Sequence, residues 1–147
     1  MNGSKVTLWS THAISKPDHE HEFTDVIVAF YLAGLCAIKR QNVDYHADGE
    51  IVIDNEKHYM EYDRGKMTPA EIRERMKKYE SCEYDVLWIC PTQERVAQLK
   101  KIAMEFPTEF WFITKAEIIA NPRRCFIEDK NGVVTTLIAI QDATQDA

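Results

Sequence analysis

The sequence predicts an α/β domain in which helices pack on the faces of one mixed sheet. Helical stretches alternate with short apolar strands in the order helix, strand, strand, helix, strand, helix, strand. Thr68, Thr92 and Thr114 stand where N-caps belong, each directly before a helical stretch. Asp85 to Cys90 (Asp-Val-Leu-Trp-Ile-Cys) is an apolar run stopped by Pro91, the pattern of a strand covered on both sides.

In chain order, residues 5–9 read as a strand or extended arm and residues 10–18 as a loop. From Phe23 to Ile38 the spacing of Val26, Phe30, Ala33 and Ala37, and of Ile27, Tyr31 and Gly34, predicts a mostly buried helix. Acidic residues precede it and Lys39-Arg40 close it, as the helix dipole favours. Two short strands, 50–54 and 58–63, then flank a tight turn at residues 54–57. Thr68-Pro69-Ala70-Glu71 is a capping box with proline at the first helical position, opening a helix to about Tyr79 whose apolar stripe is Ile72, Met76 and Tyr79. Thr92 opens another helix, to about Glu105, with Val96, Leu99, Ile102 and Ala103 facing inward. Phe110 to Ile113 is a buried strand, Thr114 to Glu117 repeats the capping box, and Asn131-Gly132 turns a hairpin between 125–128 and 133–140. A single domain over residues 1–140, followed by a polar tail over 141–147, is the expected organisation.

Composition narrows the function. Of 147 residues, 45% are hydrophobic and 29% charged, a globular mixture. The net charge of −6 argues against coating nucleic acid by bulk charge, but leaves room for a local basic groove. No apolar run approaches the ~20 residues of a membrane span, and no signal peptide opens the chain. The four cysteines, Cys36, Cys82, Cys90 and Cys125, lie far apart without a Cys-x-x-Cys, as reduced thiols of a cytoplasmic protein do.

Chemistry concentrates in residues 48–63. Strand alternation puts Glu61 and Asp63 on one face. If the loop is Asn55-Glu56, Asp48 lies opposite Asp63 and Glu50 opposite Glu61. Four carboxylates then gather, backed on the other face by Ile51, Ile53 and Met60. Such a set needs a cation or a bound proton; a solvated acidic hairpin is the plainer reading. The following helix carries Arg73, Arg75, Lys77 and Lys78, a run that is ordinarily a solvated face. An acidic hairpin followed by a cationic helix is the layout of a metal-dependent nuclease core.

Three segments carry a resemblance: His21-Glu22-Phe23-Thr24-Asp25-Val26, Asp48-Gly49, and Glu61-Tyr62-Asp63-Arg64-Gly65. A cationic helix ending in Tyr79 and a Val-Leu-Trp-Ile strand followed by Glu94-Arg95 complete it. This succession, over roughly residues 19–113, resembles the replication-relaxation family of plasmids and mobile elements. The resemblance implies a restriction-endonuclease-like, PD-(D/E)XK core with Asp48, Glu61 and Asp63 as site residues. The chain departs from the pattern in three ways. The stretch before residue 19 is too short for a winged helix, Ala47 precedes Asp48 where proline is usual, and Asp63 stands where the wider superfamily has lysine.

The expected chemistry is phosphodiester cleavage with Mg²⁺ or Mn²⁺ held by Asp48 and Glu61, and Asp63 as a further ligand or just behind them. Arg64, Lys66 or Arg75 would position the water or neutralise the phosphate. DNA would lie along Arg64, Lys66, Arg73, Arg75, Lys77 and Lys78, with replication or mobilisation proteins as further partners. A metal-free site of this kind would repel DNA. Two alternatives are a non-catalytic DNA-binding relative and a protein–protein interaction module. His19, His21 and His46 with Asp48 form a competing zinc set, although a histidine hydrogen-bonded at the start of the helix, His21, is the simpler reading. His58 is expected to pack on the apolar face of the hairpin.

Overall fold

A computed structural model describes residues 17–39, 45–53 and 55–137 of the protein. Helix α1 (Pro17–Leu32) leads into strands β1 (Cys36–Lys39), β2 (Gly49–Ile53) and β3 (Glu56–Tyr62). Then come α2 (Pro69–Lys77), β4 (Val86–Cys90), α3 (Gln93–Ala103), β5 (Phe110–Thr114), α4 (Lys115–Ala120), β6 (Phe126–Asp129) and β7 (Val134–Thr136). The seven strands of the described residues join one sheet in chain order. β3, β4 and β5 run parallel, with α2 and α3 as their connections, and the outer pairings are antiparallel. The expected α/β architecture, a mixed sheet between helices, is therefore present.

Both faces of the sheet are covered, which is why its central strands read as unbroken apolar runs. On one face Ile51, Met60, Leu87, Ile89 and Ile113 pack with Phe23, Val26 and Phe30 of α1 and Ile118 of α4. On the other, Tyr59, Val86, Trp88 and Phe112 pack with Ile72 and Met76 of α2 and Val96 and Leu99 of α3. The three threonine caps form as expected, but the Glu117 carboxylate accepts from Phe126 N–H instead of closing a second capping box. Thr68 and Glu71 complete a reciprocal capping box, and the Thr92 and Thr114 side chains accept from the backbone N–H groups of Arg95 and Glu117. His58 also falls where expected, beside Ile51, Ile53 and Leu87, with its Nδ1 donating to the Asp85 carbonyl at 3.2 Å.

Two expectations need correction. The first helix already includes Pro17 and Asp18, read as the end of a loop, and ends at Leu32, not Ile38. Gly34 takes φ +86°, Gly34 N–H donates to the Tyr31 carbonyl, and Leu35 N–H donates to the Phe30 carbonyl. This is a Schellman ending, sealed by the burial of Phe30 and Leu35. Residues 36–39 then turn into an edge strand. At the helix C-terminus Arg123 Nη1 donates to the Ala33 carbonyl at 2.7 Å, while Lys39 lies in β1 and pairs with Glu20; Arg40 is outside the described residues. Tyr31, at 72% exposure, lies outside the buried stripe.

The second correction is the hairpin register. Ile53 pairs with Glu56 and Glu50 with Tyr59, so the loop is residues 54–55 and the register lies two residues from the expected one. Left-handed backbone falls on Asn55 (φ +64°), an asparagine tolerating what a glutamate at 56 would resist. Because the slip is an even number, every side chain keeps its face. Extending the pairing one step sets Asp48 level with Glu61, not Asp63. The expectations for residues 5–9, for the end of the last strand beyond 137 and for the tail lie outside the described residues.

Gly49 shows how tightly β2 sits against α1. A Cβ there would stand 2.7 Å from the Ile38 carbonyl oxygen and 2.7 Å from the Phe23 ring. Gly49→Ala is expected to cost about 3 kcal/mol through overpacking. Gly34→Ala, strained by its positive φ but meeting only Arg123 Nη1 at an ordinary 3.6 Å, should cost about 1 kcal/mol. Urea unfolding of the two variants checks the order; equal midpoints would contradict the close approach.

Candidate functional site

The strand β3 ends in Glu61-Tyr62, and Asp63 N–H continues the ladder by donating to the Ile89 carbonyl at 2.8 Å. Alternation sends Glu61 and Asp63 toward α2 and α3, and Tyr62 toward α1. Glu61 is 1% exposed and Asp63 1% exposed. Carboxylates buried this deeply require compensating charge or hydrogen bonds.

Each finds them on a neighbouring helix. Arg75 Nη1 of α2 donates to Glu61 Oε1 at 2.7 Å. Tyr79 OH donates to Glu61 Oε2, and Lys78 Nζ stands 3.4 Å from the same oxygen. Arg95, in the first turn of α3, donates through Nε to Asp63 Oδ2 at 2.6 Å and through Nη2 to Oδ1 at 3.2 Å. Gly65 N–H also donates to Asp63 Oδ1, and Arg95 Nη2 reaches the Met67 carbonyl, so this one guanidinium fastens the 63–67 turn to α3.

Asp48 closes the cluster from the start of β2. Its Oδ2 accepts from Tyr62 N–H at 2.8 Å and lies 3.4 Å from His19 Nε2, which itself donates to the Tyr62 carbonyl at 3.0 Å. Burial acts to lower the His19 pKa, but the hydrogen bond and charge of Asp48 outweigh it and leave it raised. Burial acts to raise Asp48, and the His19 hydrogen bond and charge bring it below the ordinary carboxylate value. For Glu61, burial dominates and pushes the carboxyl up; the Asp48 charge adds to the push, while Lys78, Arg75 and Tyr79 oppose it. Asp48 and Glu61 are thus near enough to sense each other's charge.

The expected site residues divide into two groups. Asp48, Glu61 and Arg75 come together, with Asp63 beside them on its own arginine. Arg64 does not join: it lies on the α1 side, donating to Glu22 Oε2 at 3.1 Å, while Tyr62 OH holds the other oxygen of Glu22. Lys66 is exposed on the turn. Of the cationic helix, Arg73 is paired with Glu105 and Lys77 is exposed, whereas Arg75 and Lys78 turn inward instead of forming a solvated face. Glu50 is buried opposite Tyr59.

The zinc set does not assemble. His21 and His46 are exposed, and His19 is the histidine bonded at the start of α1, in the place expected for His21. Tyr79 and Arg95 are site residues that sequence spacing did not single out. The available signals were that both residues fall in the motif succession that carries the resemblance, and that Arg95 lies three residues after a capping threonine, in a helical first turn.

The set does not fit a divalent ion as it stands. Both oxygens of Glu61 and both of Asp63 already accept from cations or hydroxyl, and hard divalent ions need several free oxygen ligands. Among the described residues, no three His, Cys, Asp or Glu side chains gather closely enough to hold a metal ion. No described helix is long and apolar enough to cross a membrane.

Comparison with known families matches residues 40–139 to "Competence protein CoiA, nuclease-like domain". The chain belongs to this family. The match spans β2 to β7, with Asp48, Glu61, Asp63, Arg75, Tyr79 and Arg95, while α1 with His19 lies before it. The chain is therefore a nuclease-like α/β protein, consistent with the restriction-endonuclease-like architecture. The matching family is CoiA, not the replication-relaxation family that the motif succession resembles. Neither the curated proteins nor the solved structures offer a significant match.

Two outcomes follow from this geometry. Arg95→Met leaves a fully buried carboxylate unpaired and is expected to cost about 3–5 kcal/mol, with much of the loss recovered in Asp63→Asn/Arg95→Met; chemical denaturation of the cycle measures it. His19, raised in the fold above its ordinary 6.5, contributes stability that is complete below that pH and is lost as pH rises through the folded value. Melting temperature should therefore fall as pH rises above 6.5 in the wild type and stay flatter in His19→Gln.

Proposed function

We propose that this protein is a DNA-processing protein that engages nucleic acid at the end of the sheet where Asp48, Glu61 and Arg75 meet. One observation carries the reading: in a nuclease-like domain Asp48 is hydrogen-bonded to the backbone of Tyr62, next to Glu61, and lies within electrostatic reach of Glu61 and of the Arg75 that binds it. Arg75 and Lys78 border this point, and Lys66 and Lys77 are exposed nearby in sequence. Phosphate contacts from such cations supply affinity without reading sequence. A place in plasmid or phage replication or mobilisation is the contribution of the family resemblance alone.

Metal-dependent phosphodiester cleavage is the second reading, favoured by the mutual proximity of Asp48 and Glu61. Mg²⁺ or Mn²⁺ on Asp48, Glu61 and Asp63 belongs to this reading. It requires Glu61 to be released from Arg75, because the buried carboxylate has no oxygen to spare.

Fluorescence anisotropy with a labelled duplex tests the first reading. Binding is expected at low salt, falling steeply as salt rises, and about tenfold weaker in Lys66→Glu/Lys77→Glu. Absence of binding at 50 mM salt (about the lower end of the range where such contacts show) would remove the proposal. Supercoiled-plasmid nicking in Mg²⁺ that is lost in Glu61→Gln would move the assignment to the second reading.

A further inference from the structure

The carboxylates of this site carry their counterions within the fold. Arg75 and Lys78 stand at 2.7 and 3.4 Å from Glu61, and Arg95 at 2.6 Å from Asp63. Asp48 has His19 at 3.4 Å. Three carboxylates thus face three permanent cations and one histidine, and the cluster has no net negative charge to attract a divalent ion or repel DNA. Arginine keeps its proton at every accessible pH, so the compensation that Arg75 gives Glu61 and Arg95 gives Asp63 cannot be titrated away; it ends only if the side chain moves.

We propose that Arg75, with Lys78 beside it, occupies the place of a divalent ion at Asp48 and Glu61. The wild-type cluster is then indifferent to Mg²⁺ and Mn²⁺, and removal of the Arg75 guanidinium turns these two carboxylates into a cation site. The proposal deepens the functional reading above and rests on it only in taking Asp48 and Glu61 as the working pair. Burial supports it. Glu61 is almost inaccessible to water, so whatever replaces Arg75 must itself supply positive charge. Arg75 has the freedom to leave: its side chain is 31% exposed, against 1% for its partner. Arg95, at 11%, is held by Gln98, the Met67 carbonyl and Asp63 together, so Asp63 stays closed in the same event.

Thermal melting of the full chain in EDTA, Mg²⁺ and Mn²⁺ tests this. The wild type should melt at the same temperature in all three. Arg75→Met should melt lower in EDTA and recover about 5 °C in millimolar Mn²⁺, since an ion bound to the folded state alone raises apparent stability. Glu61→Gln/Arg75→Met should show no recovery. Arg75→Gln, which keeps one hydrogen-bond donor, is read in the same way if Arg75→Met does not fold, and a variant that folds only with Mn²⁺ counts in favour. An Mn²⁺-induced rise in the wild type that Glu61→Gln abolishes would overturn the proposal. So would folded arginine variants that ignore Mn²⁺, or variants that fold in neither condition. Failure to bind DNA, read by anisotropy, would remove the functional reading and leave these melting outcomes unchanged.

Discussion

The structure depends on two buried carboxylates at the end of one strand. Glu61 and Asp63 leave β3 on the same face, and neither can stay in a low-dielectric interior without a cation. Glu61 takes Arg75 from α2 and Asp63 takes Arg95 from α3. The demand for charge therefore sets how both crossover helices seat on the sheet. Apolar packing would bring them to this face in any case, because Ile72, Met76, Val96 and Leu99 have nowhere else to go. The ion pairs select the seating in which Arg75 and Arg95 point at the strand end.

The opposite face makes the complementary constraint. Gly49 has no side chain, so β2 lies directly under the Phe23 ring, four residues along α1 from His19. This approach brings His19 to the carbonyl of Tyr62 and to Asp48. Asp48 consequently belongs to both halves of the molecule. It is hydrogen-bonded to the α1 side through His19 and electrostatically felt by Glu61 and Arg75 on the α2 side. A disturbance at α1 thus has a route to the carboxylate cluster through Asp48.

For function, the consequence concerns what a nuclease-like arrangement does when its acids are already neutralised. Two strand-end carboxylates and a helix-borne arginine have the composition of a phosphoryl-transfer site. Their hydrogen bonds, however, hold the acids against the basic groups of the same chain. Phosphate would meet a surface whose charges are balanced before it arrives. Fold alone does not decide activity; here the balance turns on the freedom of Arg75.

Much of this was legible in the chain. The threonine caps, the five-residue apolar strand Val86–Cys90 and the faces of Glu61 and Asp63 follow from local rules of capping and alternation, and the structure follows them. The hairpin register was legible only in parity. Periodicity of two fixes a face, but the choice between residues 54–55 and 55–56 as the loop depended on Asn55 taking left-handed backbone. The end of the first helix was hidden because Ala33-Gly34 continues a helical apolar spacing even as Gly34 reverses the chain. The partners of the carboxylates were legible only in part: Arg75 stood among the candidate cations and His19 beside Asp48 in the zinc set, but Tyr79 and Arg95 had been assigned no role at the acids. His19, Tyr79 and Arg95 lie 29, 18 and 32 residues from the acids they bind, measured to Asp48, Glu61 and Asp63. Backbone pattern determines where a side chain points, whereas neutralising a buried charge is a long-range condition that only the assembled sheet and helices satisfy. The sequence by itself thus determined which residues carry the charge, and tertiary structure decided what cancels it.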